Sequence, residues 1–208
     1  MEKLTTLEAV AAPIAEKNVN TDIIIPIRRL VGTERGTMGA YAFEPWRFLA
    51  DGAPNPEFVL NQDRYRNAAI LIAGPNFGCG SSREGAVWAL QEFGIRVVMA
   101  PSFGNIFFNN CFQCGLLPIR LDAPVIDDFM AQAAAAPGGP VFKIDLEAQT
   151  VTPPYGGAVA FETDPYRRAA LLEGLDDIGM TRRCDAEIAA FQTADRDVRP
   201  WIYATHET

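Results

Sequence analysis

Histidine is almost missing from this chain. Among 208 residues there is one, His206, third from the C-terminus. A Ser-His or Cys-His nucleophile pair needs an imidazole beside the reacting atom, and a histidine at a chain end expected to fray cannot supply it. Cysteine is scarce too: of four, only Cys111 and Cys114 stand in C-x-x-C spacing. A structural zinc takes four ligands. With no second C-x-x-C or C-x-x-H, the pair reads as two small thiols in a packed turn, and no metal is expected on this chain. Positive charge is outweighed, with 18 Lys and Arg against 26 Asp and Glu and a net charge of -8. That balance argues against a nucleic-acid surface. No apolar run reaches the length of a membrane span. The first 22 residues lack the compact apolar stretch of a secretory signal. The thiols are therefore expected to be reduced, in the cytoplasm. There is no internal repeat and no low-complexity linker.

What the chain has instead is a glycine-rich loop, Gly74-Pro75-Asn76-Phe77-Gly78-Cys79-Gly80-Ser81-Ser82-Arg83-Glu84-Gly85. It lies between an apolar strand (68–73) and a helical stretch (83–93) closed by Gly94. A strand at 95–100 follows, so the order is βαβ, which implies parallel strands. Helix 105–111, strand 116–121, helix 124–136, a hairpin over 141–146 and 150–152, and three helical pieces at 164–173, 175–180 and 184–193 complete the pattern. Ile23-Ile24-Ile25-Pro26 reads as a short strand. Residues 28–42 read as a mobile loop with three arginines, and 43–49 as a short helical piece. The expectation is one α/β domain over 1–208, its core about 5–160 and its helical C-terminal extension about 161–208.

The loop brings backbone N–H groups, two hydroxyls and a guanidinium to a helix N-terminus, a setting that favours an anion. Arg83 adds a planar fork suited to a carboxylate. There is no G-x-x-x-x-G-K-[ST] phosphate loop and no G-x-S-x-G nucleophile elbow. From residue types alone, helix capping is the commoner task for Ser81 and Ser82.

Gly78-Cys79-Gly80-Ser81-Ser82-Arg83-Glu84 resembles the G-x-G-S-S-R-E signature of the aconitase superfamily's swivelling domain. Two more segments, 18–26 and 100–110, fall in the matching order. With Tyr41-Ala42-Phe43-Glu44-Pro45-Trp46-Arg47, the chain most resembles the bacterial isopropylmalate isomerase small subunits, from about residue 5 to residue 195. The resemblance implies an aconitase-like swivelling β/β/α barrel-like domain. It also implies a hydro-lyase of leucine biosynthesis that acts on a small dicarboxylate, with the [4Fe-4S] cluster on a separate large subunit and no cofactor on this chain. Ser81 would be the catalytic base, and Ser82, Arg83 and Arg35 would bind substrate. Asp22, Gly80 and Cys79 would support them, Asp22 either orienting a neighbour or capping a turn.

One position departs from the signature's usual continuation, S-S-R-E-H-A: Gly85 stands in place of the histidine. A glycine there loosens the first helical turn by roughly 0.5–1 kcal/mol relative to alanine and removes an imidazole. A hydro-lyase for a related 2-hydroxy diacid or methylmaleate-type substrate, and a non-catalytic acid-binding subunit, are the competing readings. A stand-alone hydrolase using Cys79 or Ser81 ranks last, for want of a histidine.

Overall fold

The computed structural model describes residues 1–81, 83–136 and 138–203. Seven strands form one mixed sheet in the order β4-β3-β2-β1-β5-β6-β7. The strands are β1 (Thr6–Ile14), β2 (Ile70–Ala73), β3 (Val97–Ala100), β4 (Leu117–Arg120), β5 (Val141–Asp145), β6 (Thr150–Thr152) and β7 (Val159–Ala160). Strands β1 to β4 are mutually parallel, whereas β1 pairs antiparallel with β5 and the run continues antiparallel to β7. The helices are α1 (Thr21–Ile24), α2 (Ile27–Leu30), α3 (Glu44–Arg47), α4 (Glu84–Phe93), α5 (Asn105–Cys114), α6 (Ala123–Ala135), α7 (Pro165–Glu173), α8 (Asp177–Arg182) and α9 (Asp185–Val198).

Both faces of the parallel half are covered, which is why β2 and β3 are buried along their whole length. Alternate strand residues feed two cores. Ala12, Ile14, Leu71, Ala73, Val98 and Ala100 pack on one side with α4, and with Phe77 and Phe107. Ala11, Ile70, Ile72, Val97 and Met99 pack on the other with Ile126 and Phe129 of α6 and Phe142 of β5.

One expectation is corrected, and one strand was not anticipated. Residues 23–25 are not a strand, because Thr21–Ile24 is a helical turn. Asn20 caps it, its Oδ1 accepting from the Ile23 N–H at 2.9 Å. A side-chain acceptor at the N-cap outweighs the extended preference of three isoleucines. The unanticipated strand is β1, whose alanines and Pro13 give no strand signal although it is the pivot of the sheet. Ala11 N–H donates to the Pro140 carbonyl on the β5 side at 2.9 Å. Pro13, two residues on, faces the same side beyond the end of β5, where no ladder donor is needed.

The 28–42 segment also has more local structure than an open loop. It contains α2 and a 3₁₀ turn at Met38–Tyr41. The Glu92 carboxylate accepts from the N–H groups of Gly36, Met38 and Gly39 at 2.7, 2.5 and 3.2 Å. The C-x-x-C is not in a turn; it forms the last turn of α5, which ends at Gly115 in the left-handed region. Burial pushes the Cys111 thiol up, and burial with the neighbouring Glu84 carboxylate pushes Cys114 up to about 11. Both are protonated, unreactive thiols at neutral pH. His206 lies outside the described residues.

Candidate active site

Three stretches far apart in the chain are laced together here. The turn at 18–22 runs beside the glycine loop. Asn18 N–H donates to the Pro75 carbonyl, Gly78 N–H to Val19 and Thr21 N–H to Cys79, at 2.9, 2.7 and 3.0 Å. Asn76 Nδ2 donates to Asn18 Oδ1 at 2.8 Å, and the Cys79 thiol reaches the Asn18 carbonyl at 3.4 Å. On its other side the loop meets the segment that opens α5. Phe77 N–H donates to the Ser102 carbonyl at 3.1 Å and Gly104 N–H to the Phe77 carbonyl at 2.9 Å. Asn76 N–H donates to Ser102 Oγ at 2.9 Å.

Glycine is required where these backbones touch. Gly78 has φ +69°, and a Cβ on it would collide with the Phe107 ring. Gly80 has φ +90° and turns the chain toward Ser81.

Ser81 is exposed at the end of this loop. Its carbonyl is fixed by the Thr21 hydroxyl, which donates at 2.8 Å. It does not cap α4: the N-cap is Arg83, whose side chain makes no capping hydrogen bond. The Arg83 guanidinium instead turns to Asp22 and donates to its Oδ1. Arg83 is 16% exposed and Asp22 51%. A small cleft of about 130 Å³ opens beside Ser81, lined by Gly78, Gly80, Gly104, Asn105, Ile106 and Phe107. It is smaller than the roughly 300–1,000 Å³ of a self-sufficient small-molecule pocket.

Asp22, Cys79, Gly80, Ser81 and Arg83 are thus brought together, and Ser82 lies outside the described residues. Arg35 is placed apart from them, its guanidinium 4.6 Å above the Trp88 ring, more than a helical turn along α4 from Arg83. Arg28 and Arg29 are engaged by Glu44, at 3.1 and 2.6 Å. The Arg29 hydrogen bond holds the Glu44 carboxyl below its usual range. They line a separate hollow of about 650 Å³ with Tyr41 and Phe48. Asn109 accepts from Arg167 at 2.9 Å and so ties α5 to α7.

Sequence reasoning missed Thr21 and Phe107. Thr21 is the one buried polar side chain among the described residues, and its place between Asn20 and Asp22 was the only signal for it. Gly85 proves to be a fitting position: it is buried, and a Cβ there would strike the Leu30 side chain. The glycine lets α2 seat on the first turn of α4.

Among the described residues, no three of His, Cys, Asp and Glu cluster as metal ligands, a donor set that does not fit an iron–sulfur cluster. No helix there is long and apolar enough to cross a membrane.

A mixed sheet with a serine–arginine glycine loop at a helix start defines a domain of the aconitase C-terminal class. The family model described as the aconitase C-terminal domain matches residues 1–124, and the model described as LeuD_N matches 127–165. The chain is 53% identical to a 3-isopropylmalate dehydratase small subunit of Rhodospirillum centenum, over 97% of this chain and 98% of that one. It is 52% identical to the same subunit of Gluconacetobacter diazotrophicus, over 97% of each. The chain belongs to the 3-isopropylmalate dehydratase small-subunit family. A solved 3-isopropylmalate dehydratase chain from Methanocaldococcus jannaschii has the same fold, with a TM-score of 0.65 at 24% identity, covering 89% of this chain and 99% of that one.

Proposed function

We propose that this chain is the small subunit of a cytoplasmic 3-isopropylmalate dehydratase. With a large subunit that carries the [4Fe-4S] cluster, it converts 2-isopropylmalate to 3-isopropylmalate by loss and re-addition of water. The observation that carries this reading is the convergence of the 18–22 turn, the glycine loop and the α5 start on an exposed Ser81, beside an Arg83 held by Asp22. The cleft is too small to enclose a branched dicarboxylate, as a half-site should be.

Each residue has a task in this reading. Arg83 grips one substrate carboxylate through its free N–H groups, and Asp22 fixes the direction of the fork. Ser81, as the alkoxide, takes the proton from the carbon beside a carboxylate, and the hydroxyl on the neighbouring carbon departs. Re-addition returns the proton to the carbon that lost the hydroxyl and places the hydroxyl on the carbon that lost the proton. A serine alkoxide forms only where fixed donors stabilise it, and the start of α4 points N–H groups and its positive dipole end toward this loop. Ser82 and Arg35 are assigned to substrate binding, Ser82 by its place in the motif and Arg35 as part of the segment anchored on α4 by Glu92. The cluster is assigned to the large subunit, and no residue of this chain is asked to hold it.

The test is dehydration of 2-isopropylmalate, followed by ultraviolet absorbance of the unsaturated product, with this chain, the cluster-loaded large subunit and the pair. Activity confined to the pair is the expected result; a silent pair with an intact cluster refutes the substrate. A related 2-hydroxy diacid is the second reading, favoured by Gly85 and its Leu30 contact, and is tried on the same pair with methylmalate-type acids.

Asp22→Asn tests the positioning role. It keeps the shape and removes the charge that aims Arg83, so KM for the dicarboxylate should rise about twofold to fivefold with kcat changed less, the size expected of a partly exposed ion pair. A fall in kcat alone would place Asp22 elsewhere in the chemistry.

A further inference from the structure

We infer that the C-terminal helical arm docks on the large subunit as an anchor separate from the catalytic cleft. From Leu175 to Tyr203 no described residue is buried. Yet the segment is helical over α8 and α9 and ends in a 3₁₀ turn at Pro200–Ile202. A 14-residue helix with no tertiary burial is marginal in water, because helices in proteins owe most of their stability to a packed apolar face. Helix α9 has such a face. Ile188, Phe191 and Val198 fall on one side of the helix at three- and seven-residue spacing, with Asp195 between them, and Phe191 and Val198 are 62% and 71% exposed.

The end of the chain is built to extend the stripe. Tyr203 Oη donates to Asp195 Oδ2 at 2.8 Å and Arg199 Nε to Asp195 Oδ1 at 2.6 Å, folding the last turn back on α9. The Arg196 guanidinium lies 5.1 Å from the Tyr203 ring. The hook presents Trp201 and Ile202, 68% and 54% exposed, and a held tryptophan is the residue type that most often anchors an interface.

Two observations select the occupant. The patch exposes roughly 500 Å² of apolar side chain by the usual size of such residues, short of the roughly 800 Å² per partner of a stable stand-alone interface. A dimer of this chain through α9 alone is therefore disfavoured, whereas an arm added to an existing interface needs no more. The family models stop at residue 165, but the curated small subunits align with 97% of this chain, beyond that boundary. The arm belongs to the subunit rather than to the bare domain, and the partner a small subunit requires is the large one. This inference rests on the small-subunit reading given above.

The experiment measures binding of the full chain to the cluster-loaded large subunit by analytical ultracentrifugation, with the sedimentation of the chain alone as a parallel arm. The variants are Phe191→Ser/Trp201→Ser and a chain ending at Gly174. Thermal unfolding monitors the body of each. Both variants should raise Kd at least tenfold while the main unfolding midpoint stays in place. An unchanged Kd in the double variant and the truncation overturns the arm. So does loss of self-association with large-subunit binding retained, which would assign the stripe to a second copy. Failure of the wild-type chain itself to bind the large subunit would instead bring down the small-subunit reading, and the arm's assignment with it.

Discussion

Replacing Ser81 by alanine should lower kcat of the assembled pair by about 10³-fold, the scale of losing a positioned general base, with KM for the dicarboxylate little changed. The split follows from the geometry. The carboxylate grip resides in Arg83, which is oriented by Asp22 and not by the serine hydroxyl. The loop around Ser81 is held by its carbonyl, through the Thr21 hydroxyl, and by the main-chain bonds from 75 to 79. Alanine keeps all of these, and Ser81 is exposed, so the variant should unfold at the wild-type midpoint and bind the large subunit normally. A variant within tenfold of wild type would remove Ser81 from the base role and leave the proton to a group on the other subunit. A variant that fails to assemble would show that the hydroxyl builds the interface.

How much of this was legible beforehand divides along physical lines. The parallel half was readable because β2, β3 and α4 carry their own signals: continuous apolar runs, a glycine loop before the helix, and Gly94 after it. The hairpin of β5 and β6 was readable from two short runs bounded by Gly138-Gly139-Pro140 and Pro153-Pro154. Strand β1 was not, because its alanines pack by smallness and its proline is tolerated only where a neighbouring strand has ended. Helix α1 was misread because the β-branched run was weighed above the local Asn20 cap, and because the lacing of Thr21 to Cys79 leaves no local signal. In the site, the motif named Ser81 and Arg83 and left Asp22 between orienting a neighbour and capping a turn; the fold pairs Asp22 with Arg83. Arg35 was assigned to substrate binding through the resemblance alone; the Glu92 carboxylate anchors its segment on α4, and its guanidinium lies over Trp88.

Gly104→Ala should be nearly as damaging as loss of the base, and for a reason no chemistry motif carries. Gly104 has φ -60°, so alanine meets no backbone penalty there. Its Cβ, however, would land on the carbonyl oxygen of Gly78 and press on Cys79. The obstacle is backbone, not a side chain that can swing away, so the glycine loop must move. Overpacking of this kind costs about 3 kcal/mol, or roughly 6–12 °C in Tm for a chain of this size. A displacement of Ser81 by about 1 Å costs on the order of 10² in rate. Gly94→Ala supplies the contrast. That glycine ends α4 at φ +111° with nothing within 4 Å of a Cβ, so alanine there meets strain without collision, about 1–2 kcal/mol, in a turn remote from the loop. Gly94→Ala should therefore lower Tm and spare kcat, whereas Gly104→Ala should lower both. Equal effects on kcat from the two would mean that the active loop answers to overall stability. A wild-type kcat in Gly104→Ala would mean that the close approach of α5 does not set the position of Ser81.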